Sequence, residues 1–290
     1  MKGAKKNQDN RTNNTGIIMT LRIKLIVLFA FAIFSYSLNA QETQKPAAND
    51  PAELAKKLAN PVASLISMPL QNNTDVGIGV YHGYKNTMNF QPVVPISLSA
   101  KLNLITRYII PIVTQRNITG ADVKQTGLSD AVISAFFSPA VPKNGVVWGA
   151  GPVFLVPIAT NDLLGTEKFG VGPTALILKQ THGLTFGVLA NQIWSVAGND
   201  NRSDVNQMYL QPFFNYNWKS GAGIGISGEI TQNWEGSSTT AFIVPSVSGV
   251  TKLGKQIVSI VIGPRIQVAA ADNSGADFGV RAALTFVFPK

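Results

Sequence analysis

Asn206-Gln-Met-Tyr-Leu-Gln-Pro-Phe-Phe-Asn-Tyr-Asn-Trp218 carries two alternating faces. One parity reads Met208, Leu210, Pro212, Phe214, Tyr216 and Trp218. The other reads Gln207, Tyr209, Gln211, Phe213, Asn215 and Asn217. Successive side chains on a strand point to opposite sides, so this segment is a strand with one greasy face and one mainly polar face. A soluble sandwich shows the same period. Here the pattern recurs from about residue 64 to the end, in segments of roughly ten residues behind an export signal. That combination is the signature of a transmembrane, antiparallel, up-and-down β-barrel, an all-β fold of the bacterial outer membrane.

Composition agrees. The 290 residues include no Cys, 26 Gly and 16 Pro, and only 13% are charged. Mean hydropathy is +0.15, high for a soluble chain, while the hydrophobic fraction stays at 45%. A barrel has this balance because the lumen half of each strand remains polar. Val146 to Ala159 is the longest uninterrupted apolar run after residue 40, and its Gly and Pro residues break it. It is too short for a transmembrane helix, which needs about 20 apolar residues.

Residues 1–40 read as a leader. Arg22 and Lys24 form a basic start, Leu25 to Phe34 an apolar core, and Leu38-Asn39-Ala40 a cleavage site before Gln41. The polar stretch 1–18 makes Met19 the expected initiator. The leader also explains most of the basic charge. Removing its six basic residues and one acidic residue from totals of 24 and 15 leaves a net charge of +4. No basic helix or aromatic-interleaved patch supports nucleic-acid binding. Residues 41–63 form a second segment, with Asp50-Pro-Ala-Glu53 as a helix start through Leu54 and Leu58. It is too small to be a folded plug domain, so a periplasmic or mouth-covering position is expected.

About twelve strands follow over 64–290, at roughly 64–79, 86–98, 101–113, 127–138, 146–160, 168–180, 184–195, 206–218, 222–234, 238–249, 256–269 and 276–288. Connections after even strands are tight, as at Thr181-His182-Gly183, and several after odd strands are longer and polar, as at 197–205. With a periplasmic N-terminus, this places short turns inside the cell envelope and long loops outside, as bacterial barrels do. Met88, Phe90, Tyr108 and Phe286 fall on the lipid parity. Asn89, Gln91, Arg107 and Thr285 fall on the lumen parity. The fifth and sixth strands are apolar on both parities and are left unassigned. Trp148 and Trp218 fall near periplasmic strand ends and Trp194 and Trp234 near outer ends, where aromatic girdles form.

Asn60-Pro-Val-Ala-Ser-Leu-Ile-Ser-Met-Pro-Leu-Gln-Asn-Asn73, Gln91-Pro-Val-Val-Pro-Ile96, Phe136-Phe-Ser-Pro139, Trp148-Gly-Ala-Gly-Pro152, Gly172-Pro-Thr-Ala175, Gln211-Pro-Phe213 and the closing Phe288-Pro-Lys290 occur in an order that resembles one family. This is the outer-membrane barrel family named for the MetA pathway of phenol degradation, whose members often carry the labels "transporter" or "neuromedin U". The resemblance covers about residues 54–290 and implies a barrel handling small organic solutes.

Chemistry is sparse. The two His, His82 and His182, fall at opposite ends of the barrel. His82 with Asp75 as orienting group is the one arrangement suggesting a lipid-modifying enzyme, and no partner Ser stands in a local motif. Asn199–Asp204 offers oxygen ligands but lacks the Gly and closing Glu of a calcium loop. No cofactor motif is present. The candidate site is therefore the inward charges Arg107, Asp130, Glu229, Arg265 and Arg281, as a selective constriction or as ion pairs filling the lumen. Eight strands fill with their own side chains and sixteen leave a channel, so twelve leave a narrow pore and a plugged tube both open. The expected partners are outer-membrane lipid, lipopolysaccharide and a small-molecule solute. The rivals to a channel are a closed structural or surface-binding barrel and, last, an enzyme.

Overall fold

The computed structural model describes residues 50–288; the expected leader with its cleavage site, and the last two residues, lie outside the described residues. Among the described residues one helix, α1 (Pro51–Leu58), precedes the strands. Asp50 caps it, its Oδ1 accepting from the Ala52 amide at 3.0 Å, while Glu53 in the first turn and Lys56 and Lys57 in the last suit the helix dipole.

The strands are β1 (Ile66–Ile78), β2 (Gly83–Phe90), β3 (Val93–Ser97), β4 (Leu102–Arg116), β5 (Lys124–Leu128), β6 (Ala131–Pro139), β7 (Val146–Val156), β8 (Lys168–Thr181), β9 (Leu184–Gly198), β10 (Asn206–Asn217), β11 (Ala222–Asn233), β12 (Ser238–Leu253), β13 (Gln256–Ala269) and β14 (Phe278–Phe288). Each pairs antiparallel with its neighbour, and β14 returns to pair with β1 from Ile66↔Phe288 to Val76↔Phe278. Two pairs of segments are halves of one staves-width strand. Gln91-Pro92 interrupts β2 and β3, where proline has no N–H for the ladder, and Ser129-Asp130 interrupts β5 and β6. The result is a closed wall of twelve strands. Closure removes the unpaired edges that hydrocarbon would not tolerate.

The wall turns its apolar side outward. Ile177 is 53% exposed, Ile262 51% and Phe278 53%, values that are costly in water and suited to lipid. Trp148, Trp194, Trp218 and Trp234 are all exposed near strand ends, as girdle residues are. One patch departs from this rule. Asn72 and Thr74 on β1 point outward between Leu70 and Val76, beside Asn86 on β2. Their side chains satisfy one another: Asn86 Nδ2 donates to Asn72 Oδ1 at 2.9 Å and to Thr74 Oγ1 at 2.7 Å, and Asn72 Nδ2 donates back at 3.1 Å.

The ambiguous fifth and sixth strands resolve here as β7 and β8. Val147, Val153 and Leu155 turn inward on β7 and Leu176 and Leu178 on β8, while Trp148 and Ile177 face lipid. Both faces are apolar because the lumen beside them is hydrophobic: Val153 and Leu155 pack with Ile193 in one cluster, and Val147, Leu176 and Leu178 belong to a larger core. The N-terminal segment supplies its centre. Val62, 2% exposed, packs among the inward Ile105, Phe136, Val147 and Leu178. Leu54, 1% exposed, packs with Leu65 against the inward Ile257 and Val287. Gln180 Nε2 donates to the Lys56 carbonyl at 2.7 Å, pinning the helix to the wall. The segment expected in the periplasm or over the mouth thus packs against the inner side of the wall.

Candidate functional site

Beyond that segment the side of the lumen formed by β1, β11, β13 and β14 is polar. Alternation on β1, β11, β13 and β14 delivers Asp75, Glu229, Arg265 and Arg281 to the same interior level. Arg281 Nη1 lies 2.7 Å from Glu229 Oε1, and Arg281 Nη2 donates to Glu229 Oε2 at 2.8 Å, a bidentate pair. Arg281 Nε also donates to Asn73 Oδ1 at 2.7 Å. Arg265 Nη1 donates to Asp75 Oδ2 at 2.5 Å, its Nε lies 3.6 Å from Glu229 Oε2, and its guanidinium covers the Phe242 ring at 3.2 Å. These side chains are 8–13% exposed, so their charges interact far more strongly than surface ion pairs do.

Arg107 lies apart from this belt, on β4 opposite Val93 of β3. Its Nη2 donates to Gln91 Oε1 at 3.2 Å, and it makes no ion pair among the described residues. Lys85, in register with Asp75, adds another inward cation. Arg107, Gln91, Gln211 and Ser259 line a cavity of about 210 Å³, bounded on its other side by Leu58, Asn60, Pro61 and Leu65 of the N-terminal segment. A larger concavity of about 820 Å³, lined by Ile177, Phe186, Pro212, Phe214 and Ile226, lies on the apolar outer wall.

Of the five candidate residues, four reach the lumen and Asp130 does something else. It sits in the break between β5 and β6 and holds the outer loop 157–167. Its Oδ2 accepts from the Thr166 amide and hydroxyl, each at 2.6 Å, and its Oδ1 accepts from the Ala159 amide at 3.4 Å. Strand parity projects a side chain reliably only while the strand continues, and here it stops. Asp75 and Lys85 belong to the lumen cluster instead. Lys85 shares the parity of Thr87, Asn89 and Gln91, a signal present in the sequence.

The proposed His82–Asp75 pair does not form. Asp75 is committed to Arg265, and His82 Nδ1 stands 3.9 Å from Asp277 Oδ2, with both side chains open to solvent. His182 contacts Thr181 in the turn before β9. The 199–205 loop directs its polar groups to the neighbouring 161–167 loop. Asn199 donates to Glu167 at 2.7 Å, and Arg202 donates to the Asp162 carbonyl at 2.8 Å.

Asp204 in that loop ties it to the barrel rim. The Lys168 ammonium, 3.0 Å from its Oδ1, holds the Asp204 carboxyl below the ordinary aspartate range, and the Ser195 hydroxyl contributes next. A carboxyl depressed on folding stabilises above its unfolded value, and that contribution disappears as pH falls through the folded value. Amides 199–205, corrected for intrinsic exchange, should therefore stay protected at pH 5 and loosen only below the ordinary value of 3.8. Asp204→Asn should loosen the loop already at neutral pH. Equal protection in that variant would show that the ion pair does not hold the loop.

A closed wall, an apolar exterior with aromatic ends and a charged interior define a transmembrane β-barrel of the outer-membrane class. No family model and no curated protein matches the chain. Among solved structures, an outer membrane channel from Pseudomonas putida F1 is similar, with a TM-score of 0.61 at 13% identity over 79% of this chain and 97% of that one. The transport unit of the autotransporter AIDA-I from Escherichia coli aligns over 84% of this chain and 99% of its own, at 12% identity and a TM-score of 0.41, too distant to bear on the fold.

Proposed function

We propose that this protein is a gated outer-membrane channel for small organic solutes, with the Arg265–Glu229–Arg281 belt as its constriction and the N-terminal segment as its periplasmic stop. The observation that carries this reading is the division of the lumen. Apolar side chains surround the docked segment at Leu54, Val62 and Leu65 and form a second, smaller cluster at Val153, Leu155 and Ile193, while the side built by β1, β11, β13 and β14 is lined by charge and amide. A barrel built only as a solid wall needs no such change of lining. The similarity in fold to an outer membrane channel supports the reading.

The same docked segment favours a second reading, a permanently closed structural barrel. Reconstitution separates the two. In planar bilayers the mature chain should conduct in brief openings, and liposomes containing it should swell in small organic solutes. Replacing Arg107 and Arg265 by Ser should shift the reversal potential in a salt gradient. Silent bilayers together with impermeable liposomes would establish the closed barrel.

A further inference from the structure

We propose that Arg107 is the anchor of a lumen pocket whose ligand is a small organic monocarboxylate. The inference rests on the channel reading and deepens it by naming the solute class.

The argument starts from charge. Arg265, Arg281, Lys85 and Arg107 face inward against the carboxylates of Asp75 and Glu229. Both oxygens of Glu229 are engaged by Arg281, with Arg265 alongside, and Asp75 is held by Arg265. Asp75 Oδ1 is left without a partner, yet neither carboxylate of the belt pairs with Arg107. Its fixed charge stands in the lumen with one amide oxygen as partner, and a guanidinium presents five donors. An unpaired buried cation is costly, and a ligand carboxylate meets that need in a fork-to-fork geometry.

The surroundings define the rest of the ligand. The cavity beside Arg107 holds about 210 Å³, below the roughly 300–1,000 Å³ of pockets that take drug-sized molecules. Leu65, Val93 and Val261 make one side apolar, while Gln91 and Gln211 give amides near the charged end. An inorganic anion would keep its hydration and gain nothing from the apolar side. Arg107 is the buried cation of the lining, and Lys57, which also lines the cavity, is exposed and screened by solvent, so the site matches a single negative charge. The fit is a carboxylate on a single ring or a short chain. The pocket also shares Leu58, Asn60 and Pro61 with the N-terminal stop, so the ligand sits where it touches the element that closes the barrel.

The test is titration calorimetry on the detergent-solubilised mature chain, with benzoate as the probe and benzamide as its neutral counterpart. Benzoate should bind at one site and benzamide should not. Arg107→Gln should weaken benzoate by about 10–150-fold, the equivalent of losing a charged hydrogen bond. Arg107→Lys, which keeps the charge without the fork, should fall between. Val261→Phe, filling the pocket while leaving Arg107 in place, should also abolish binding, and an unchanged heat-dependent gel shift would show that each variant is folded. Equal affinity for benzoate and benzamide, or for the unaltered chain and the folded Arg107→Gln variant, overturns the proposal. A barrel that binds benzoate through Arg107 yet conducts nothing upholds the site and defeats the channel. One that conducts and ignores benzoate defeats the site alone.

Discussion

Val62→Asp opens the barrel, and its conductance in planar bilayers rises on the order of tenfold over that of the unaltered chain, as removal of a hydrophobic gate does. Val62 is 2% exposed among inward-facing side chains contributed by several strands. Burying such a side chain contributes about 1.5–3 kcal/mol, and an unpaired carboxylate in its place costs more than that contribution. The wall does not share the cost. Its backbone groups pair strand to strand around a closed circuit that includes no residue of the segment. The relief is therefore undocking of residues 50–65 rather than unfolding of the barrel. Leu54→Asp should act in the same way through Ile257 and Val287, and deletion of 50–63 should match both. Glu53→Gln, on the exposed side of α1, is the control and should leave conductance unchanged. Conductance unaltered in all three sealing variants would place the barrier elsewhere in the lumen.

The docked segment also marks the boundary of what the chain discloses unaided. Alternation in 206–218 and in most other strands follows from one physical contrast, hydrocarbon outside and water inside. Where the contrast holds, the lumen side is legible, and Arg107, Glu229, Arg265 and Arg281 were placed by it. Around β7 and β8 it fails because Val62 and its neighbours make the inside apolar as well. Val147, Leu176 and Leu178 are then indistinguishable from lipid-facing residues until the segment that covers them is seen, and Val153 is hidden in the same way by its packing with Leu155 and Ile193. Leu54 and Leu58 announce a helix, but nothing local says that its partner is a barrel interior. The ion pairs are hidden for a different reason. Asp75 and Arg265 are 190 residues apart and meet only because β14 closes onto β1. Parity gives each charge a side, and closure gives it a partner. Asp130 shows the limit of parity itself, since the strand ends beside it and the carboxyl turns to the outer loop.

Closure is also why Glu229 has the largest leverage of any single charge in the lumen. Glu229→Gln should lower the unfolding free energy by about 3–5 kcal/mol, the usual cost of removing one partner from a buried ion pair. Arg281 loses both of its carboxylate contacts, at 2.7 and 2.8 Å, and Arg265 loses the contact at 3.6 Å. Asp75 pairs with Arg265, and the remaining hydrogen bond of Arg281 is the one to Asn73. Denaturant titration in lipid, followed by the gel shift between folded and unfolded barrel, measures the loss. The second effect is electrical: the belt becomes more positive by one charge, and the reversal potential in a salt gradient should move toward the anion. Arg281→Gln added to Glu229→Gln separates the two effects. Because no charge is then orphaned, the double variant should recover much of the stability lost in the single one, a coupling that a double-mutant cycle reads directly. Its selectivity should return with it, since the net charge of the belt is restored. If the two losses simply add, the pair does not hold the belt together, and the constriction must be held by Arg265 and Asp75 instead.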